Sequence, residues 1–460
     1  MEDTVVLYPS PGHLSSMLEL GKLIVKHHPS VSVTCIMSNP STEIVSANPS
    51  ITFIPLPKLS LPTPITSFLD LVASFFEIPN LNNPNLYQTL LNVSKSSNIK
   101  ALVIDFFCNP AFEFLSSRLD IPIYYFNSSG ACGFSIFLYL PTLDKNISKS
   151  LKDLDIVVDV PGVPKVPSKD MPPVLCDRSH RVYQYFVDTG KNMFKSAGVI
   201  INTFELLEPN AVKALQERNC SLNEPTPPVY FVGPLAITGE SKKEHECLTW
   251  LDSQPSSSVL YLCFGSMGVF SSIQLKEMAI GLEKSGVRFL WAVRAPKLDG
   301  PTQAGKTNTR STEPCLESIF PEGFLDGTKD RGFIVKSWAP QLAILNHGSV
   351  GGFVTHCGWK SILEAVCAGV PMLGWPLYAE QKMNRVFLVE EMKAGLGVRA
   401  DKDDFVSAGE FEERVVELMN AKKGEAVRER VMALKEAAVV AKSEGGSTFV
   451  AMDKLVDSFK

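Results

Sequence analysis

Two short segments place a histidine and a carboxylate where parallel strands are expected to end. The sequence Pro11-Gly12-His13 opens a helical pattern after the apolar run 5–8, and Asp105 ends the apolar run 101–105. A helix N-terminus disfavours a protonated imidazole, so His13 would stay neutral and could act as a base. Asp105 could orient the ring by accepting its other proton. Taken alone, a histidine after a strand is more often structural, and Asp105 could simply cap the following turn.

Two later segments could bind an anion. Residues 264–268 (FGSMG) directly follow a predicted strand, and glycines there let backbone N–H groups approach a phosphate closely. Residues 351–364 (GGFVTHCGWKSILE) predict a strand, a glycine loop and a helix start, which would gather His356, Lys360 and Ser361 around a diphosphate. The alternatives are an ordinary tight turn for the first segment and a capping box of Ser361 and Glu364 for the second.

Side chains near these segments could complete a nucleotide-sugar site. Trp338 offers a flat face for stacking a base, although a tryptophan in the core or an interface is the default. Glu380 and Gln381 could bind sugar hydroxyls or merely open a helix.

The elements that must position these residues alternate between apolar runs and helical patterns. Continuous apolar strands separated by helices indicate a parallel sheet covered on both faces. The pattern restarts after a polar stretch near 239–246. We predict two α/β domains, residues 1–240 and 250–442, joined by a linker at 241–249, with a C-terminal helix at about 443–460 packing back on the first. Ligands of such sheets bind at the carboxyl ends of the strands, which here would face a cleft between the domains.

Composition excludes several classes of protein. The 460 residues include 44 Lys and Arg against 49 Asp and Glu, a net charge of −5, so the chain has no basic excess for nucleic acid. The acidic start of the chain does not resemble a signal peptide, and the longest uncharged stretch, 121–143, contains prolines and polar residues that argue against a membrane span. The 10 cysteines form no C-x-x-C pair and no zinc spacing, so we expect a reduced cytoplasmic protein without a metal.

Together, Trp338-Ala339-Pro340-Gln341, His356-Cys357-Gly358-Trp359 and Glu380-Gln381 resemble the donor-binding signature of plant family 1 UDP-glycosyltransferases. The resemblance extends over the whole chain, including the PGH start, the VIDFF strand, the FGSMG turn and the VRERV helix near the end. Within the family, the chain is most similar to enzymes that glucosylate flavonoids, chalcones and related phenols.

The resemblance implies a fold and a set of roles. The fold would be GT-B, an α/β architecture of two Rossmann-like domains, with the acceptor bound by the N-terminal domain and the UDP-sugar mainly by the C-terminal one. His13 and Asp105 match the catalytic pair, and Phe106, Phe126 and Met193 are candidates for the acceptor site. The implied donor-binding residues are Gly12, Ser266, Trp338, Ala339, Gln341, His356, Gly358, Trp359, Lys360, Ser361, Glu364, Tyr378, Glu380 and Gln381.

Within that set, the implied contacts divide by the parts of the ligand. Trp338 would stack on uracil, and Gln341 and Glu364 would hold the ribose. The diphosphate would be bound by Ser266, His356 and Ser361, and the sugar by Trp359, Glu380 and Gln381. A glutamine at the end of the signature, here Gln381, is associated with glucose donors.

One position departs from the family pattern, which usually has asparagine where this chain has Lys360. Asparagine donates a neutral hydrogen bond, whereas lysine supplies a charge on a flexible stem. Lys360 could reach the diphosphate and strengthen UDP binding, or it could point to solvent.

The implied reaction is the inverting transfer of glucose from UDP-glucose to a phenolic hydroxyl group, with His13 as the base and no metal or other cofactor. We expect a monomer whose partners are a phenolic acceptor and a UDP-sugar. Two alternatives stay open: C-glucosylation of the same acceptors, and a sugar-nucleotide-binding protein with weakened transfer activity. A nicotinamide-dependent oxidoreductase is disfavoured because the chain lacks G-x-G-x-x-G and the acidic residue that should follow it.

Overall fold

The structure is a computed structural model that describes residues 1–61, 64–217, 226–235, 245–296, 316–336 and 338–459. The chain divides into two compact units, one formed by residues 1–236 and 440–460 and the other by residues 237–439. Residues 241–244 of the predicted linker at 241–249 lie outside the described residues, and a helix begins at Glu246 within its second half.

The first unit is built on a seven-stranded parallel sheet in the order β3-β2-β1-β4-β5-β8-β9, and a short antiparallel pair, β6 and β7, lies apart from it. The strands are β1 (Glu2–Tyr8), β2 (Val31–Ser38), β3 (Thr52–Leu56), β4 (Ser97–Asp105), β5 (Ile123–Asn127), β6 (Val157–Val158), β7 (Val166–Pro167), β8 (Gly198–Ile201) and β9 (Val229–Phe231). Strand β5 is buried at every residue, so neither of its faces is exposed to solvent. This explains why its sequence is continuously apolar instead of alternating.

Helices of the first unit connect these strands. They are α1 (Leu14–His27), α2 (Thr42–Ala47), α3 (Phe68–Val93), α4 (Asn109–Leu115), α5 (Ala131–Asn146), α6 (Pro173–Cys176), α7 (Arg181–Met193) and α8 (Pro209–Gln216). Between β4 and α4, residues Phe106–Cys108 form one turn of 3₁₀ helix.

The second unit has a six-stranded parallel sheet in the order β12-β11-β10-β13-β14-β15. Its strands are β10 (Val259–Cys263), β11 (Arg288–Val293), β12 (Gly332–Lys336), β13 (Val350–Thr355), β14 (Met372–Gly374) and β15 (Gly395–Gly397). Its helices are α9 (Glu246–Asp252), α10 (Ser272–Ser285), α11 (Leu316–Ile319), α12 (Phe324–Thr328), α13 (Gln341–Leu345), α14 (Trp359–Ala368), α15 (Gln381–Val386) and α16 (Ala408–Asn420). The prediction of an α/β protein with parallel sheets is confirmed.

The last two helices, α17 (Lys422–Lys442) and α18 (Ser447–Asp457), return the chain to the first unit. Met452, Leu455 and Phe459 are buried in the same apolar cluster as strands β1, β2 and β5. The hydroxyl group of Tyr124 donates to the carbonyl of Ser458 at 3.0 Å, and the Thr448 hydroxyl donates to the carbonyl of Gly233. The end of the chain is therefore part of the core of the first unit.

Both sheets have a switch point, where the chain order reverses between two neighbouring strands. The strands on either side are β1 and β4 in the first unit and β10 and β13 in the second. Open α/β sheets bind ligands beyond the carboxyl ends of the strands at such a point. His13 and Asp105 lie there in the first unit, and Gly265 and His356 lie there in the second.

No helix in the described ranges is both long enough and apolar enough to cross a membrane.

Candidate active site

His13 and Asp105 meet at the switch point of the first unit. His13 is the residue before α1, and its Nδ1 lies 2.8 Å from Oδ2 of Asp105, which is completely buried. The other carboxylate oxygen, Oδ1, accepts the backbone N–H of Phe107 at 3.0 Å. Asp105 therefore caps the following turn and also holds the imidazole, so both interpretations of this aspartate apply. With Nδ1–H donating to the carboxylate, the proton-accepting nitrogen of a neutral His13 is Nε2.

Aromatic rings surround the imidazole. The ring of His13 stacks against Phe106 and Phe107, with centroid distances of 5.6 and 5.4 Å. Phe107 in turn packs against Phe75 and Phe76 at 5.3 and 5.1 Å. Because Phe75 and Phe107 are only partly buried, they offer flat apolar surface beside the base, which suits an aromatic ligand.

The predicted acceptor residues differ in their access to solvent. Phe106 is mostly buried but touches the imidazole. Phe126 and Met193 are exposed by only 0% and 1%, and Phe126 belongs to the apolar core of the first unit, so neither offers surface to an acceptor in this structure. Phe107 was not among the predicted acceptor residues, although its position directly after Phe106 at the end of β4 was a usable signal.

His356 occupies the switch point of the second unit, between two glycines. A Cβ atom on Gly265 would lie 2.7 Å from Nε2 of His356, and a Cβ on Gly358 would lie 2.6 Å from the same atom. Only glycine leaves room for the ring at these two positions. Burial lowers the pKa of His356 to about 4, so the ring is neutral near pH 7. Its Nδ1 atom is buried and has no hydrogen-bond partner among the described residues.

The N-terminus of α14 follows His356 directly. The N-cap residue is Gly358, which has no side chain with which to cap the helix. Ser361 is the third residue of the helix, so the capping-box interpretation of Ser361 and Glu364 is wrong. The first-turn N–H groups of a helix have no intrahelical acceptor and attract anions. This end of α14, with the side chain of His356 beside it, is suited to a diphosphate.

A hydrogen-bonded group lies just inside this helix end. The amide nitrogen of Gln341, the first residue of α13, is 3.0 Å from Oγ of Ser361 and 2.7 Å from Oε2 of Glu364. Burial raises the pKa of Glu364, while Gln341 and Lys360 act in the opposite direction. Hence three of the predicted donor residues lie together.

Trp338 and Ala339 precede this group. The Trp338 side chain is 60% exposed and contacts His245 edge-on at 6.2 Å, whereas Ala339 is buried. An indole with one accessible face is what base stacking requires, and the core interpretation of Trp338 is therefore wrong.

Gln381 shapes the turn before α15. Its Oε1 accepts the backbone N–H groups of Leu377 and Tyr378 at 2.9 and 3.0 Å, which leaves the amide nitrogen as the group that can donate to a ligand. Glu380 is the N-cap residue of α15, so this pair does open a helix. The ring of Tyr378 lies 6.4 Å from that of His356.

The remaining predicted residues occupy the edges of the two sites. Trp359 is buried as the first residue of α14, whereas Lys360 is half exposed and its Nζ lies 4.0 Å from Oε1 of Glu364. Gly12 and Ser266 are exposed in the turns after β1 and β10.

The sequence analysis missed Arg294. This residue directly follows β11, and its guanidinium donates to the backbone carbonyl of Ser266 and interacts electrostatically with Tyr378. It places a cation beside the turn at 264–268. A basic residue at the carboxyl end of a strand next to a glycine turn was the signal for it. Across the described ranges, no group of three or more His, Cys, Asp or Glu side chains could hold a metal ion.

Comparisons with known proteins identify relatives of the whole chain. A family model described as UDP-glucoronosyl and UDP-glucosyl transferase matches residues 186–437. UDP-glycosyltransferase 88B1 of Stevia rebaudiana is 50% identical over 99% of this chain and 98% of its own. Anthocyanidin 5,3-O-glucosyltransferase of a Rosa hybrid cultivar is 48% identical over 100% of this chain and 99% of its own. The structure of Phytolacca americana UGT2 complexed with UDP-2fluoro-glucose and pterostilbene superposes with a TM-score of 0.85 at 34% identity, over 99% of both chains.

Proposed function

We propose that this chain, which belongs to the UDP-glycosyltransferase family, transfers glucose from UDP-glucose to a hydroxyl group of a flavonoid or related phenol. Membership of the family makes it a glycosyltransferase with the GT-B fold of two Rossmann-like domains. The sugar, the acceptor and the O-linkage are our proposal, and the observation that carries it is the contact between His13 and Asp105 beside an aromatic surface.

In the proposed reaction, Nε2 of His13 takes the proton of the acceptor hydroxyl group. The phenolate oxygen forms a bond to C1 of glucose while the bond from C1 to the diphosphate oxygen breaks, which inverts C1 and gives a β-glucoside. Phenols ionise near pH 10, so a neutral imidazole within hydrogen-bond reach need only assist the transfer. Asp105 stabilises the imidazolium that forms.

UDP departs with one more negative charge than it carried in the sugar nucleotide. In the proposal, the N-terminus of α14 and the polar groups around His356 stabilise that charge. The ring of His356 supports this role, because its buried Nδ1 has no hydrogen-bond partner among the described residues and a ring N–H can donate to a phosphate oxygen. We propose that no metal takes part, and expect turnover to be unchanged by excess EDTA.

Donor preference follows from Gln381 in this proposal. Its carbonyl oxygen is held by the turn at 377–378, so its amide nitrogen would donate to a hydroxyl group of the sugar. A matched donor panel of UDP-glucose, UDP-galactose and UDP-glucuronic acid, tested with one acceptor, measures this preference. Turnover that is highest with UDP-glucose is the expected result, and equal turnover with all three would contradict it.

The experiment that tests the linkage and the acceptor is one incubation with UDP-glucose and a panel of flavonoids, chalcones and simple phenols, analysed by mass. Acid treatment of the product then separates the alternatives, because an O-glucoside releases glucose and a C-glucoside does not. UDP binding without a product from any acceptor would favour a sugar-nucleotide-binding protein instead.

The base assignment has its own test in the acidity of the acceptor. A nitrophenol that is already ionised near neutral pH needs no base, whereas an ordinary phenol does. We expect His13→Ala to lose activity on the ordinary phenol and to retain most of it on the nitrophenol. Equal losses on both acceptors would show that His13 positions the acceptor and does not remove its proton.

A further inference from the structure

The side chain of Lys360 runs along its own helix and meets a buried carboxylate. Its Nζ lies 4.0 Å from Oε1 of Glu364, one turn further along α14. The Lys360 side chain is 48% exposed and that of Glu364 is 7% exposed. A charge at the surface therefore faces a charge that is nearly removed from water. The sequence analysis considered Lys360 at the diphosphate or in solvent, and this contact with Glu364 is a third arrangement.

Glu364 divides its two oxygens between different partners. Oε2 accepts the amide of Gln341 at 2.7 Å, while Oε1 faces the ammonium group. Two titratable groups that interact electrostatically with Glu364 are Lys360 and Tyr261 of β10. Burial raises the pKa of Tyr261 well above its ordinary value, so the phenol is neutral, and Lys360 is a cation that compensates this carboxylate.

We propose that Lys360 is a positioning residue of the nucleoside subsite, whose ammonium holds Glu364 as a carboxylate that accepts hydrogen bonds from the ribose hydroxyl groups, and that it does not bind the diphosphate. This inference rests on the proposed function, because it needs a UDP-sugar in the second unit. A carboxylate accepts hydrogen bonds at both oxygens, whereas a protonated carboxyl group must donate one. Removal of the ammonium group therefore costs affinity at the ribose and leaves the phosphate contacts intact.

A pair of nucleotides separates the two roles. UDP has both ribose hydroxyl groups, and 2′,3′-dideoxyuridine diphosphate lacks them but keeps the diphosphate. Titration calorimetry at pH 7.5 gives the ratio of the dissociation constant of the dideoxy analogue to that of UDP. It is measured for the wild type, Lys360→Met and Lys360→Arg. Lys423→Met is a matched control, because Lys423 forms an exposed ion pair with Glu417 at 3.0 Å.

We expect Lys360→Met to weaken UDP binding about threefold to tenfold, as for one weakened hydrogen bond. Binding of the dideoxy analogue should be unchanged, so the ratio falls. Lys360→Arg should restore the ratio, and Lys423→Met should not alter it. Burial raises the pKa of Glu364 and the ammonium group opposes that rise. The ratio for Lys360→Met should therefore fall further at pH 5.5, and by more than it does for the wild type.

Equal weakening of both nucleotides would overturn the inference and assign Lys360 to the diphosphate. An unchanged affinity for both would overturn it in favour of a solvent-directed lysine. Failure of the wild type to bind UDP would instead overturn the proposed function, and this inference with it.

Discussion

The two units share the strand order around their switch points, but the two turns that follow these strands carry different residues. In each sheet, one turn follows the first strand of the switch point and the other follows its neighbour. In the first unit these turns carry His13 and Asp105, and in the second they carry Gly265 and His356. One unit thus presents a histidine beside a buried carboxylate, and the other presents glycines around a neutral ring.

The difference lies in what satisfies the backbone. One carboxylate oxygen of Asp105 accepts the backbone N–H of Phe107, so a negative charge already lies in this turn. That charge would repel a phosphate. The equivalent turn of the second unit ends in Gly358, the N-cap residue of α14, which has no side chain to place there. The first unit therefore closes this turn with its own carboxylate, whereas the second unit ends it in a glycine.

A second helix end of the first unit is closed in the same way. The buried carboxylate of Glu208 accepts the backbone N–H groups of Ala131 and Cys132 at the start of α5, at 2.8 and 2.9 Å. Thr203 donates to it as well, at 2.6 Å. An internal anion again fills a place that could otherwise take a phosphate.

The largest expected effect that would sharpen the comparison is on turnover. His13→Ala should lower kcat on an ordinary phenol about 10³-fold, or about 4 kcal/mol, because general-base catalysis is lost. The affinity for UDP should stay within about twofold, since His13 belongs to the unit assigned to the acceptor. Steady-state kinetics and calorimetry measure the two quantities. A comparable loss of UDP affinity would break the division of labour between the units.

The next largest expected effect is on the free energy of unfolding, and it concerns the buried carboxylate of Glu208 in the first unit. Glu208→Ala should lower the free energy of unfolding by about 3 kcal/mol, because it leaves two buried N–H groups and a hydroxyl group unsatisfied. Thermal or urea unfolding followed by circular dichroism measures this. Ser41→Ala is the control, as the Ser41 hydroxyl caps α2 at an exposed helix end, and should cost only about 1 kcal/mol. Similar losses for both would contradict the argument from burial.

The pH dependence of stability reports on His356. Its folded pKa of about 4 lies below the ordinary value, so the unfolded state binds more protons between these values. Stability contributed by the neutral ring is therefore complete above about pH 6.5 and is lost as the pH falls toward 4, by up to about 3 kcal/mol. His356→Gln should flatten this part of the stability profile. A profile with the same slope as the wild type would show that the ring is not desolvated.

The smallest expected effect tests whether the glycines that flank His356 keep its ring in place. Gly358→Ala would bring a Cβ atom to 2.6 Å from Nε2 of His356, and should weaken UDP binding about tenfold, or 1.4 kcal/mol, by displacing the ring. Gly409→Ala is a matched control because, apart from its chain neighbours and the backbone of its own helix, no heavy atom in the described ranges lies within 4 Å of its Cβ position. If both variants bind UDP as tightly as the wild type does, UDP binding does not depend on the room that Gly358 leaves for the His356 ring.

Sequence patterns predicted the parts of this protein that depend on local spacing. The parallel sheets followed from continuous apolar runs, and the turns after β1, β4, β10 and β13 were visible because glycine, histidine and aspartate interrupt those runs. The start of α14 at Trp359 was not predicted, since Ser361 and Glu364 match a capping box that the helix begins too early to use.

Residues whose role depends on tertiary packing were harder to predict. Phe126 and Phe107 are both aromatic residues near a strand end, and only the folded sheet buries the first and leaves the second partly exposed. The partners of Lys360 and of Gln381 depend on side-chain directions, which spacing along the chain does not determine.

The return of α18 to the first unit has a consequence for biosynthesis. Met452, Leu455 and Phe459 complete an apolar core whose other members lie before residue 236. At a translation rate of about 5–20 residues per second, roughly 200 residues must be made, over about 10–40 s, before this helix emerges. During that interval the nascent first unit exposes the apolar surface that α18 later covers, so chaperone capture of the ribosome-bound chain should be strongest there and should end when α18 docks.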